Sequence, residues 1–199
     1  MSGDNMKIIG ITGGAGSGKS EVLKLMKEKF GGFVILTDDV ARALTLKGGR
    51  SYEKIVEAFG PEILGEDGEI DRPRLAAIVF KDEAALKRLE AMTHQLVKED
   101  VKAQLLQAEK EGYPFAAVES AILLNAGYED ILDEYWGIYT DPAIRRERLR
   151  VTRGYSDERI QSVMDSQVSD EELKGRCDRL IINNTTLEDI ELQLKHALS

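Results

Sequence analysis

Lys7-Ile8-Ile9-Gly10-Ile11-Thr12, followed at once by Gly13-Gly14-Ala15-Gly16-Ser17-Gly18-Lys19-Ser20, is the most informative stretch of this chain. The apolar run reads as a strand, and the octapeptide fits G-x-x-x-x-G-K-[ST], a phosphate cradle at a strand-to-helix junction. Its glycines let the backbone turn tightly and bring several N–H donors to face one anion, while the helix that follows adds the positive end of its dipole. In such a cradle Lys19 reaches the β and γ phosphates and Ser20 holds Mg²⁺. A glycine-rich turn that binds nothing has no need of Lys-Ser after its last glycine. The loop alone does not separate kinases from ATPases or switches.

Four more apolar runs rich in β-branched or aromatic residues occur at Phe33 to Thr37, Phe115 to Glu119, Trp136 to Thr140 and Arg179 to Asn183. Runs without polar alternation, separated by helical segments, suit strands covered on both faces. The expectation is an α/β architecture: a three-layer P-loop NTPase fold with a five-stranded parallel sheet. The first helix should run from about Gly18 to Phe30, with Val22, Leu25 and Met26 inward, and stop at Gly31-Gly32. From Ser51 to Gly112 no strand-like run appears, and Leu86, Leu89, Thr93, Leu96, Val97, Val101 and Leu105 mark one face of a long amphipathic helix. A helical insert over about 45–112 and an Arg-rich lid region over about 143–170 are therefore expected within a single domain spanning 1–199. In open α/β folds an insert at that point of the chain lies over the ligand crevice. Polar caps mark later helix starts at Ser156, at Ser169 with Glu172, and at Thr186 with Asp189; Pro142 opens the Arg-rich helix.

At 199 residues the chain suits one well-packed domain, and its 42% hydrophobic and 32% charged content is that of a soluble globular protein. A net charge of −9 argues against nucleic acid as a partner, because such binding draws on a basic face. Cys177 is the single cysteine, so there is no intrachain disulfide and no multi-cysteine metal site. The polar start from Met1 to Met6 lacks a basic, apolar leader pattern, and no run approaches the ~18 apolar residues of a membrane span. These features lead us to expect a cytoplasmic enzyme.

A kinase must place an acceptor hydroxyl in line with the γ phosphate and remove its proton, which calls for a carboxylate opposite the phosphate loop. The second strand ends in Thr37-Asp38-Asp39, and either aspartate could serve; alternatively, both cap a helix beginning near Val40. Glu119 closes the third strand, where a Walker-B-like acid would bind Mg²⁺ or its waters. Arg145, Arg146, Arg148, Arg150 and Arg153 supply guanidinium groups suited to phosphate oxygens. Arg145 and Arg148 share one face, as do Arg146 and Arg150 or Arg153, so all five cannot meet one ligand. His94 on the long helix is a possible substrate contact, and Trp136 reads as core.

These motifs resemble the dephospho-CoA kinase family nearly end to end. The family's T-G-G-x-G-S-G-K-S loop matches Thr12 to Ser20, and its D-A-D-x-x-A-R matches Leu36-Thr37-Asp38-Asp39-Val40-Ala41-Arg42. Anchoring on Ala41-Arg42 assigns the family's catalytic acid to Asp38; its first Asp is Leu36 here. The family's H-P step corresponds to Thr93-His94-Gln95, and its P-L-L-F-E segment to Ala121-Ile122-Leu123-Leu124-Asn125. Arg148, Ser156 and Ser166-Gln167 match the lid, with Thr152 at the second lid arginine and Arg153 one place later. Cys177 to Asn184 resembles A-D-x-x-I-x-N. The resemblance implies ATP and Mg²⁺ as cofactors and transfer of the γ-phosphoryl group to the ribose 3′-hydroxyl of dephospho-CoA. It places Gly13, Gly14, Ala15, Gly16, Ser17, Gly18, Lys19, Ser20, Arg148 and Asn183 at ATP, with Asn183 near the adenine. Asp38, Arg42 and His94 fall at the acceptor. A rival enzyme reading is another small-molecule kinase, such as one for nucleoside monophosphates. A nucleotide-dependent switch would carry N-K-x-D and D-x-x-G, and the sequence contains neither.

Overall fold

The computed structural model describes residues 6–120, 122–125 and 127–199. The polar start of the chain up to residue 5 and Ala121 of the Ala121–Asn125 match lie outside the described residues. Five strands form one sheet: β1 (Lys7–Thr12), β2 (Phe33–Leu36), β3 (Phe115–Glu119), β4 (Glu134–Tyr139) and β5 (Arg179–Ile182), in the order β2-β3-β1-β4-β5. β1 is central and pairs in parallel with both β3 and β4, and β4 pairs in parallel with β5. All five expected strands are present. β4 starts two residues earlier than its apolar run, because Glu134 is held at the sheet by Lys7, Arg179 and the Trp136 indole N–H. Burial works against the charge of Glu134, but these three donors hold its carboxyl down at about 2.

Around the strands run α1 (Lys19–Glu28), α2 (Thr37–Thr45), α3 (Tyr52–Phe59), a 3₁₀ turn (Pro61–Ile63), α4 (Arg72–Val79) and α5 (Glu83–Lys110), then α6 (Pro142–Arg153), α7 (Asp157–Asp165), α8 (Asp170–Arg176) and α9 (Leu187–Leu198). α1 ends where Gly31 adopts φ +70° and a Cβ on Gly32 would collide with the Phe115 ring. It buries Val22, Leu23 and Met26; Leu25 is only partly covered, so the inward stripe includes a position beyond the expected three. The caps read from sequence are made: Ser156 accepts from Arg159 N–H, Ser169 from Glu172 N–H, and Thr186 with Asp189 completes a capping box. Each is worth about 1 kcal/mol.

Backbone proximity divides the chain into two compact units, one running to Ile35 and resuming at Gln107–Ser199, the other Leu36–Leu106. The first holds the sheet, with a core of Ile9, Ile11, Met26, Trp136, Ile138 and Ile190 in which alternate residues of β1 and β4, on one face of the sheet, pack against α1 and α9. Trp136 is fully buried, and truncating such a side chain to alanine costs about 3–5 kcal/mol. On β5, the side-chain amide of Gln193 accepts from Ile182 N–H at 2.8 Å and donates to Ile182 C=O at 2.9 Å. The second unit has its own small core of Ile55, Phe59, Ile63, Leu75, Val79 and Ala85 from α3, α4 and the start of α5. No helix among the described residues is long and apolar enough to cross a membrane.

Candidate active site

The phosphate loop links β1 to α1 through three glycines at positive φ: Gly13 (+153°), Gly16 (+77°) and Gly18 (+82°). α1 has Gly18 at its N-cap and no side-chain cap. The backbone N–H groups of Gly16, Gly18 and Ser20 have no intramolecular acceptor among the described residues. A row of open donors at an uncapped helix start is the electrostatic complement of a phosphate group. Lys19 Nζ donates to Gly13 C=O at 2.8 Å and lies 3.7 Å from Glu119 at the end of β3. Ser17 is 1% exposed, and its Oγ is a buried hydroxyl with no partner among the described residues.

Below the loop, buried side chains fix its shape. Asn183, 5% exposed, donates from Nδ2 to Ser17 C=O at 2.7 Å, so its amide is spent on the loop. Thr140 Oγ1 lies 3.0 Å from Ser17 C=O and 3.1 Å from Asn183 C=O, one hydroxyl hydrogen serving two carbonyls. Arg148 donates to Asn183 C=O at 3.0 Å, to its Oδ1 at 3.3 Å and to Gly16 C=O at 3.4 Å. Of the five lid arginines, Arg145 is the one buried, at 5% exposure, and burial pulls its guanidinium below the usual arginine range. Its Nε donates to Ala15 C=O at 3.1 Å, and a Cβ on Gly14 would collide with it. Arg146 pairs with Gln161, Arg150 with Glu147 and Asp157, and Arg153 with Tyr155. The helix does divide by face: two arginines meet the loop and three meet the surroundings of α7.

Sequence reasoning named Arg145 among the five candidate arginines but singled out only Arg148, and it took Gln167 only as part of a motif, though Gln167 Oε1 accepts from Ala15 N–H at 2.8 Å. The available signal for Arg145 was its spacing from Leu149, which is 1% exposed and one turn further along the same inward stripe of α6.

In the second unit, Asp38 and Arg42 stand on the wall of a cavity of about 370 Å³ with Ala41, Thr45 and Arg72. Ile70, Leu75 and Leu89 add apolar lining, and Thr93 completes it. The expected helix start near Val40 is corrected by three residues: α2 begins at Thr37 with Leu36 at the N-cap, and neither aspartate caps it. Asp38 and Asp39 are first-turn acids, both exposed, and Asp39 is absent from the cavity wall. His94 is exposed on α5, one residue past Thr93. Sequence reasoning missed Arg72, the first residue of α4, which donates to Thr45 Oγ1 at 3.4 Å. Cys177 is half-buried, and burial pushes its thiol up to about 11, so it is not a nucleophile at neutral pH.

The dephospho-CoA kinase family model matches residues 7–189. A dephospho-CoA kinase of Geobacter sulfurreducens is 37% identical over 190 residues, covering 96% of each chain. Among solved structures, the Thermus thermophilus protein TT1252 superposes with a TM-score of 0.83 at 32% identity, covering 98% of this chain and 97% of that one. The dephospho-CoA kinase of Campylobacter jejuni does so with a TM-score of 0.70 at 26% identity, covering 96% and 94%.

Proposed function

The chain belongs to the dephospho-CoA kinase family, and from that premise we propose how its residues divide the work of the reaction. The activity is ATP-dependent phosphorylation of dephospho-CoA at its ribose 3′-hydroxyl, yielding CoA and ADP. Nothing in the comparisons favours a nucleoside monophosphate kinase. In our reading the loop Gly13 to Ser20 binds the triphosphate, its open N–H groups facing the β phosphate and Lys19 leaving Gly13 C=O for the phosphate oxygens. Arg148 counters charge on the migrating group, and Asn183 serves the nucleotide from beneath, on the adenine side of the loop. Asp38 accepts the proton of the acceptor hydroxyl as its oxygen bonds to Pγ and the β–γ bridging P–O bond breaks toward ADP. Arg42 binds dephospho-CoA, with His94 at the margin of that site. Residues of about 45–112 form the acceptor-binding insert and about 143–170 the lid, both within one domain.

Mg²⁺ fits the donor chemistry of the loop's end. Ser20 offers an exposed hydroxyl in the first turn of α1, and Glu119 ends β3 beside Lys19, both hard oxygen donors of the kind Mg²⁺ takes alongside phosphates and water. When bound, the ion neutralises charge on the β and γ phosphates. Ser20 would be its direct protein ligand.

The observation that carries the residue assignment is the cavity wall, which holds Asp38 and Arg42 but not Asp39. The test is an assay with ATP, Mg²⁺ and dephospho-CoA, read by product mass, on the unchanged protein and on Asp38→Asn and Asp39→Asn. Loss confined to Asp38→Asn supports the assignment. Loss confined to Asp39→Asn would overturn it.

A further inference from the structure

Ala15, at the apex of the phosphate loop, has both of its backbone polar groups taken by side chains from far along the chain. Its N–H donates to Gln167 Oε1 at 2.8 Å, across 152 residues, and its C=O accepts from Arg145 Nε at 3.1 Å, across 130. The two side chains are themselves joined, Arg145 Nη2 donating to the same Gln167 Oε1 at 3.2 Å. Asp170, in the first turn of α8, accepts from Arg145 Nη1 at 3.3 Å and completes the group. With its side chain 6% exposed, Arg145 is a buried cation whose charge is answered by Asp170 and by these oriented dipoles.

Glycine flanks Ala15 on both sides. Gly14 leaves room for the guanidinium, and a Cβ on Gly16 would lie 3.0 Å from Arg145 C=O and 3.2 Å from Leu149 Cγ. A peptide between glycines turns over at little steric cost. A flip of the Ala15–Gly16 peptide would aim the Ala15 carbonyl where the loop offers the Gly16 N–H, and a carbonyl facing a phosphate repels it. The segment beyond α7 also lies close on the loop. The void bounded by Thr12, Gly13, Gly14, Gln167, Val168 and Leu173 is about 10 Å³, room for one water at most.

We infer that Gln167, with Arg145 behind it, is a positioning residue for ATP: it anchors Ala15 N–H and braces the guanidinium that holds Ala15 C=O, and so keeps the Gly16 N–H of the next peptide convergent with the loop's other donors on phosphate. This rests on reading the loop as the ATP site, and it assigns the segment joining α7 and α8 a role at the phosphate loop. Gln167 acts through the backbone of Ala15, not by touching the reacting atoms.

The test compares Gln167→Leu, equal in size but without an acceptor, with Gln167→Glu, which keeps an oxygen for both donors. ATP binding is measured by calorimetry, KM for each substrate by steady-state kinetics, and folding by thermal denaturation. Gln167→Leu should bind ATP about tenfold more weakly and raise KM for ATP to match, with KM for dephospho-CoA unmoved. Gln167→Glu should stay within about threefold of the unchanged protein. ATP binding by Gln167→Leu as tight as that of the unchanged protein would overturn the inference. So would an equal rise in both KM values together with a lowered Tm, the mark of a merely structural contact. Absence of ATP binding by the unchanged protein would instead overturn the loop assignment beneath it.

Discussion

At Gly18 in the phosphate loop and at Gly48 between α2 and α3 the backbone makes nearly the same left-handed turn, φ +82° and +84°, in opposite surroundings. A Cβ on Gly18 would collide with the Asn183 amide, which is bonded to Ser17 C=O and has nowhere to go. A Cβ on Gly48 would meet nothing within 4 Å. The contrast extends to the side chains of the two regions. Around the loop, Arg145, Asn183, Thr140 and Ser17 are all 5% exposed or less, while Asp38 and His94 in the helical unit are exposed. The loop is a backbone surface shaped by packing from below; the site proposed for the acceptor is a set of exposed side chains on helix surfaces.

The largest effect that would sharpen this contrast is in the glycine pair. Gly18→Ala should lower kcat/KM by more than about 10²-fold, since a loop displaced by a fraction of an ångström misaligns the donor phosphate. Gly48→Ala should cost only backbone strain, about 1 kcal/mol of stability by chemical denaturation, with activity within about twofold. Comparable losses of activity at both sites would break the comparison. Next, Asp38→Asn should cut kcat by roughly 10²-fold while leaving ATP affinity within about threefold, because it removes a proton acceptor and not a scaffold. Arg42→Ala should raise KM for dephospho-CoA about tenfold with KM for ATP unchanged, as expected of a side-chain contact on a wall that does not hold the fold.

The smallest expected effect concerns the sheet that carries the loop. The carboxyl of Glu134 stands at about 2 when folded, against its ordinary value near 4.5. A lowered carboxylate contributes stability that is present above the unfolded value and is lost as pH falls toward the folded one. Tm of the unchanged protein should therefore drop between pH 4.5 and 2 more steeply than that of Glu134→Gln. Parallel curves would remove this ion-pair group from the account of the sheet.

The architecture was legible wherever a local pattern was enough. β1 and β3 declared themselves through runs such as Ile8-Ile9 and Phe115 to Val118, and Ser156, Ser169 and Thr186 announced their helices by capping chemistry a few residues long. The loop was legible because its glycines encode their own turns. What stayed hidden were pairings made only by folding: Gln167 with Ala15, Arg145 with Ala15 and Asp170, and Arg72 with Thr45. The face of α6 that meets the loop could be drawn on a helical wheel, but which of its two arginines is buried depends on the glycines it passes. The early start of α2 escaped because Thr37-Asp38-Asp39 reads as a cap and is in fact a first turn, where acids suit the helix dipole equally well.

Gln193 bears on behaviour at high concentration. By answering both the N–H and the C=O of Ile182, its amide occupies a place on the rim of the sheet where another polypeptide could add itself as a further strand. Ile182 on β5, and Leu187 and Leu192 on α9, leave apolar surface open to water, 37%, 49% and 56% exposed. One polar side chain thus deprives this flank of a backbone template for edge-to-edge pairing.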